Sequence, residues 1–171
     1  CGAASGMAIA VAACIAGCDL GRIERIPDRT GLPNEVILQK GQDVNFGGNL
    51  SQMLRLGGGV VVEVGCANKV EPDHIRSALS DRTAALFYVK SHHAVQKGMQ
   101  SVETMAEIAH ERGIPLVVDA AAEEDLTRYV RLGADLVIYS GGKALSGPTS
   151  GFIAGKKALI AACKRQYKGI G

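Results

Sequence analysis

Apolar residues along the chain fall into short, nearly continuous runs set between longer amphipathic stretches. Glu35–Gln39 (EVILQ), Gly59–Val64 (GVVVEV), Thr83–Val89 (TAALFYV), Ile114–Asp119 (IPLVVD) and Asp135–Ser140 (DLVIYS) are rich in Val, Ile and Leu. Such runs predict strands buried on both faces. Phe152–Ala154 reads as a further short extended piece. Helices are predicted between them. The first runs from Ser5, a plausible N-cap, to Ala16, with Gly17 as its stop. Others cover Asn49–Leu56, after the glycines at 47 and 48, and Pro72–Ser80, which opens on a proline in its first turn. Ser101–Arg112 is closed by Gly113, and Glu124–Leu132 and Lys156–Tyr167 complete the set. This alternation predicts an α/β fold with a mostly parallel sheet flanked by helices. There is no internal repeat and no low-complexity linker.

Composition narrows the function classes. The 171 residues suit one domain, of a size that buries roughly 70% of its unfolded surface. Hydrophobic residues make up 47%, charged residues 21%, and the formal charge is +2, so neither disorder nor a large polyanionic partner is indicated. The longest apolar stretch, Met7–Ala16, is too short to span a bilayer. No basic n-region or signal cleavage site is present. Five cysteines without paired spacing read as reduced thiols, which predicts a cytoplasmic location. Cys14 and Cys18, four apart, would share one helix face and could hold part of a metal site, but no second Cys or His pair accompanies them, and no metal is expected. A start at Cys-Gly-Ala-Ala-Ser-Gly, with no initiator Met, reads as an internal piece of a longer protein.

In parallel sheets the ligand crevice lies beyond the carboxyl ends of the strands. That rule gathers Gln39, Lys40, Gly65, Lys90–His93, Asp119 and Ser140–Lys143, together with the glycine turn before the first helix. Asp119 ends one strand, and Lys143 follows the next on a glycine-bearing loop. A lysine in such a crevice can act as an amine nucleophile and form a Schiff base, and an aspartate there is the partner a pyridinium nitrogen needs. Gly2-Ala3-Ala4-Ser5-Gly6 offers free N–H groups at a helix N-terminus, where an anion such as phosphate is favoured, and the Ser140 hydroxyl can join them. A phosphate cradle, a carboxylate and a lysine together describe pyridoxal 5′-phosphate. His92 and His93 follow a strand end and could bond the cofactor's phenolic oxygen or the substrate; as loop residues they could equally be solvated. Aromatic residues are 4% of the chain, and a partner for the cofactor ring is sought between Gln39 and Phe46. His74 and His110 read as surface residues on helices. Ser140-Gly-Gly-Lys143 also satisfies the S-x-x-K nucleophile pattern, but Gly-Gly is poor material for the helix that motif opens. The phosphate-loop pattern G-x-x-x-x-G-K-[ST] is not met, because Ala144 follows Lys143.

The stretches "SHHAVQKGMQSVETMAEIAHERG", "GIPLVVDAAAEEDL" and "GADLVIYSGGKALSGPTSGFIAGKKALI" resemble the fold-type-I pyridoxal-phosphate enzymes related to bacterial selenocysteine synthase, and within them the D-glucosaminate-6-phosphate ammonia-lyase branch. The resemblance covers nearly the whole chain and is strongest from Ser91 to Ile160. It implies that residues 1–171 are the central part of a pyridoxal-phosphate transferase (fold type I) large domain, without its N-terminal segment and small C-terminal domain. It further implies that Lys143 carries the cofactor, Asp119 pairs with the ring nitrogen, and Ser140 with Gly2, Ala3, Ala4 and Ser5 holds the phosphate. Gly147-Pro148-Thr149 would lie near a partner subunit of a homodimer or larger homo-oligomer. The implied substrate is a small phosphorylated amino acid or amino sugar acid that loses ammonia to give a 2-keto-3-deoxy acid phosphate, with Lys40, Lys90 and Lys97 available to meet a substrate phosphate. Three alternatives stay open: a tRNA-dependent selenium transferase, which calls for a more basic surface than +2 provides; an aminotransferase; and a non-catalytic α/β binding module.

Overall fold

A computed structural model describes residues 2–170. The elements run α1 (Ala3–Ala16), α2 (Leu20–Ile23), β1 (Glu35–Gln39), α3 (Leu50–Leu56), β2 (Val60–Val64), α4 (Pro72–Ala78) and β3 (Thr83–Val89). They continue with α5 (Val102–Glu111), β4 (Leu116–Asp119), α6 (Arg128–Arg131), β5 (Leu136–Ser140), β6 (Gly151–Gly155) and α7 (Lys157–Arg165). The six strands form one sheet in the order β2-β1-β3-β4-β5-β6. All neighbours are parallel except β5 and β6, which pair antiparallel with Ser140 opposite Gly151. The mostly parallel α/β sheet read from the apolar runs is therefore present.

Strand alternation divides the core between two helix layers. Along β3, Ala85, Phe87 and Val89 join the cluster built on α1, while Leu86 and Tyr88 join the cluster of α4 and α5 on the other face. Phe87, Leu86 and Ile138 have no exposed surface. Burial of a side chain of this kind contributes roughly 1.5–3 kcal/mol. Helix α1 lies close to the sheet because its inward face is small: a Cβ on Gly6 would stand 2.9 Å from Ile138 Cγ2. That contact brings the N-terminus of α1 to the carboxyl end of β5.

Several boundaries depart from the sequence expectation, each for a local reason. Helix α1 begins at Ala3 with Gly2 as its cap and no side-chain cap bond, so Ser5 is a helical residue of the first turn and not the N-cap. Gly17 ends α1 with φ 58°, and Cys18 lies past that end, so Cys14 and Cys18 do not share a helix face. The helix expected over 124–132 contracts to α6, because the Asp125 carboxylate accepts the N–H groups of Thr127 and Arg128 at 2.9 and 3.0 Å and holds the approach as a turn. Helix α7 stops at Arg165 and passes into a tighter turn over Gln166–Lys168. Among the described residues no helix is long and apolar enough to cross a membrane.

Candidate active site

Three strand ends and one helix N-terminus meet at a cleft of about 680 Å³. Its walls include Gly2 and the first turn of α1 (Ala3, Ala4 and Ser5), Val89 and Ser91 at the end of β3, Asp119 and Ala121 at the end of β4, Ser140 and Lys143 at and beyond the end of β5, and Thr149 before β6. Val44, Phe46, Gly47 and Gly48 close the side next to α3.

Asp119 is the last residue of β4 and is 8% exposed. Its Oδ1 accepts the Ala121 N–H at 3.1 Å. Burial pushes its carboxyl up to about 6, against the opposing pull of the Ala121 N–H and the positive charge of Lys143. A buried carboxylate with one hydrogen bond retains acceptor capacity, which suits a cationic N–H donor arriving from the cleft.

Ser140 ends β5, its N–H donating to the Ala121 carbonyl at 3.3 Å. Beyond it the chain folds back on itself. Gly141 N–H donates to the Ser150 carbonyl at 2.9 Å, Gly147 N–H to the Gly141 carbonyl at 2.7 Å, and Ser146 N–H to the Lys143 carbonyl at 2.9 Å. A Cβ at Gly141 would overlap Ser150 Oγ, so any side chain there would have to displace Ser150 from this close return. The loop thus tied holds Lys143 at the cleft, its Nζ 5.4 Å from the centroid of the Phe46 ring.

Gly151, across from Ser140, comes so near Gly2 that a Cβ on it would collide with the Gly2 carbonyl. The first turn of α1 is therefore beside Ser140. No side chain caps α1, so its leading N–H groups are free to meet an anion with the helix dipole behind them. The residues present fit pyridoxal phosphate: N–H groups and a hydroxyl for the phosphate, a buried carboxylate for the ring nitrogen, and an amine for the aldehyde.

Other residues singled out in the sequence take different places. His92 and His93 follow β3 but do not line the cleft. They pack on Phe46 and on each other, with ring centroids 4.1 Å apart for Phe46 and His93 and 3.9 Å for the two histidines. Lys40, Lys90 and Lys97 do not line it either, and Lys40 faces Glu63 at 3.8 Å. His74 accepts the Glu71 N–H at 3.1 Å at the start of α4. The exposed His110 holds the buried Asp135 carboxylate at 2.9 Å, at the opposite end of the sheet. Burial raises the thiols of Cys14 and Cys163, the latter to about 11, which suits inert core cysteines. Among the described residues no group of His, Cys, Asp and Glu is arranged to hold a metal ion. Phe46 and Val44 are among the cleft residues that the strand-end rule does not supply, although both fall in the Gln39–Phe46 stretch where a ring partner is sought. Both come from the turn after β1, and the glycine pair at 47 and 48 was the signal that this turn is tight.

Known proteins resemble this chain at high identity. The chain is 52% identical over 168 residues to D-glucosaminate-6-phosphate ammonia lyase of Salmonella typhimurium, covering 98% of this chain and 46% of that protein. It is 54% identical over 171 residues to 5′-C-glycyluridine monooxygenase-decarboxylase of a Streptomyces species, covering 99% of this chain and 43% of the relative. A solved structure of D-glucosaminate-6-phosphate ammonia-lyase superposes with a TM-score of 0.97 at 51% identity, over 99% of this chain and 46% of that one. The chain spans about half the length of the curated relatives it matches. The family model described as L-seryl-tRNA selenium transferase matches residues 26–168, a span that holds Asp119, Ser140 and Lys143. By that match and those identities, the chain belongs to the L-seryl-tRNA selenium transferase (SelA) family.

Proposed function

We propose that residues 1–171 are the central part of the cofactor-binding large domain of a pyridoxal-phosphate-dependent ammonia-lyase, acting on a 2-amino sugar acid phosphate such as D-glucosaminate 6-phosphate. The observation that carries this reading is the meeting of Asp119, Ser140, Lys143 and the free N–H groups of Ala3–Ser5 in one cleft, together with 52% identity to the lyase. Pyridoxal phosphate, when bound, supplies an electron sink that stabilises negative charge at the α-carbon of an amino substrate. Lys143 Nζ would hold its aldehyde and would serve as the base that takes the α-proton of the substrate. Asp119 would keep a proton on the ring nitrogen, and its burial would exclude the water that weakens such a contact. Ser140 Oγ and the Ala3, Ala4 and Ser5 N–H groups bind the phosphate. For the substrate, the C3 hydroxyl leaves as water and a second water releases the amine. The net products are ammonia and a 2-keto-3-deoxy acid phosphate.

Lys143 is the one cation lining the cleft among the described residues. A phosphate on the substrate is therefore expected to be met by groups supplied from elsewhere in the assembly. An apolar groove of about 840 Å³ beside the cleft, lined by Met53, Leu56, Phe152 and Ile160, supports assembly as a homodimer or larger homo-oligomer. A cytoplasmic setting is part of the same reading. The equal likeness to the monooxygenase-decarboxylase favours a second one, in which the same anchor serves decarboxylation of an amino acid at the expense of oxygen. Incubation of the full-length protein with D-glucosaminate 6-phosphate separates the two. Ammonia and keto acid released in equal amounts, and abolished in Lys143→Ala, support the lyase. Oxygen uptake with carbon dioxide release from a glycyl nucleoside, and no ammonia from the sugar acid, would replace it.

A further inference from the structure

Lys143 stands on a loop with glycines at 141, 142 and 147, and is exposed. Among the described residues its ammonium makes no hydrogen bond and no ion pair. A four-carbon chain so placed would sample many rotamers, whose loss on reaction opposes it. One group stands against it: the face of Phe46, at 5.4 Å from Nζ.

Phe46 is itself held, although it is 60% exposed. Its N–H donates to the Gly48 carbonyl at 3.3 Å, a bridge joins Asn45 to Asn49, and Gly47 takes φ 74° to make the turn. Asn49 in turn caps α3, accepting the Gln52 N–H at 2.9 Å. The Phe46 ring is also stacked on His93 with an interplanar angle of 23°, and His92 lies against His93. The His93 N–H is tied to Ser91 Oγ at 3.2 Å. Four side chains thus form one cluster: His92, His93, Phe46 and Lys143. A ring held by such contacts presents the negative quadrupole of its face to a cation.

We propose that Phe46 is a positioning residue for Lys143: its ring face, buttressed by His93, orders the ammonium at the cleft before any ligand arrives. The role of the two histidines is then mechanical support of the ring. This inference rests on the pyridoxal reading for its consequence in function, though not for its geometry. A cation–π contact at an exposed site is worth ~0.5–1 kcal/mol, which corresponds to an effect of about two- to fivefold.

The test uses the full-length protein and the variants Phe46→Leu, Phe46→Tyr and His93→Ala, with two readouts. The first is the rate of capture of pyridoxal phosphate, trapped by borohydride and assigned to Lys143 by peptide mass. Phe46→Leu, which keeps bulk and loses the π face, is expected to slow capture about two- to fivefold. His93→Ala should slow it less, and Phe46→Tyr should restore the wild-type rate, with the melting temperature unchanged in all three. The second readout needs no cofactor: acetylation of Lys143 by acetic anhydride, normalised to Lys164, is expected to rise by a similar factor in Phe46→Leu. Unchanged capture and unchanged acetylation in Phe46→Leu would overturn the proposal while leaving the cofactor reading intact. Altered acetylation in that variant, with no adduct on Lys143 even in the wild type, would uphold the positioning role and reject the cofactor reading.

Discussion

Replacing Asp119 by Asn is expected to make the cofactor-free protein more stable, and increasingly so as the pH rises. Asp119 is buried at the end of β4, and its carboxyl titrates at about 6 in the folded chain against an ordinary value of 3.8, chiefly because burial penalises the charge. For an acid with a raised folded value, the folded state binds more protons than the unfolded state between the two values. Stability is therefore greatest below the lower value and is lost as pH rises through the window from about 4 to about 6. A difference of about 2 pH units, at 1.36 kcal/mol each, makes the charged carboxylate cost ~3 kcal/mol at pH 8, falling to ~0.5 kcal/mol at pH 4. Asn mimics the protonated group in size and can still accept the Ala121 N–H through its carbonyl oxygen. Urea unfolding of both proteins at several pH values between 5 and 8 measures the difference directly, and other titrating groups cancel in it. A gain for Asp119→Asn that grows with pH toward ~3 kcal/mol is the expected result. A gain independent of pH, or no gain at pH 8, would refute the argument that a charge is held there against its solvation preference. The same substitution should weaken pyridoxal phosphate binding, since stability forgone in the empty protein is characteristic of a site kept for a ligand.

Gly6→Val should destabilise the fold by ~1–3 kcal/mol in thermal unfolding, because its side chain must displace Ile138 from the α1 contact. Asp135→Ala should cost ~1–3 kcal/mol, since it leaves the buried Leu116 N–H, now 2.7 Å from the carboxylate, without an acceptor. Asp135 has its carboxyl held below the ordinary value, with burial opposing and the Lys156, Leu116 and His110 contacts prevailing. Its stabilisation is therefore present above the usual carboxylate range and lost as pH falls through the folded value, so the wild-type advantage over Asp135→Ala should shrink in acid.

The strands were legible because β1, β3, β4 and β5 are buried on both faces and must be apolar at nearly every position. Their carboxyl ends, once located, supplied Asp119, Ser140 and Lys143 without further information. Helix ends were less so. An alanine-rich start with glycine before it carries no capping side chain, so nothing in the residues distinguishes a beginning at Ala3 from one at Ser5. Asp125 reads as a first-turn helix residue, yet its carboxylate competes for the backbone and shortens α6. Charge was the least legible feature. Lys40, Lys90 and Lys97 sit near strand ends in sequence, but the direction of a long side chain in a loop depends on partners such as Glu63 that only the folded sheet supplies. The pairing of His92 and His93 with Phe46, 46 and 47 residues earlier in the chain, is likewise a consequence of β1 and β3 being neighbours.

The most direct test of the central claim is reduction of the full-length protein with borohydride in the presence of pyridoxal phosphate, followed by peptide mass mapping. A pyridoxyl adduct confined to Lys143, and lost in Lys143→Ala, is the result expected here. An adduct spread over other lysines, or none on Lys143, would contradict it.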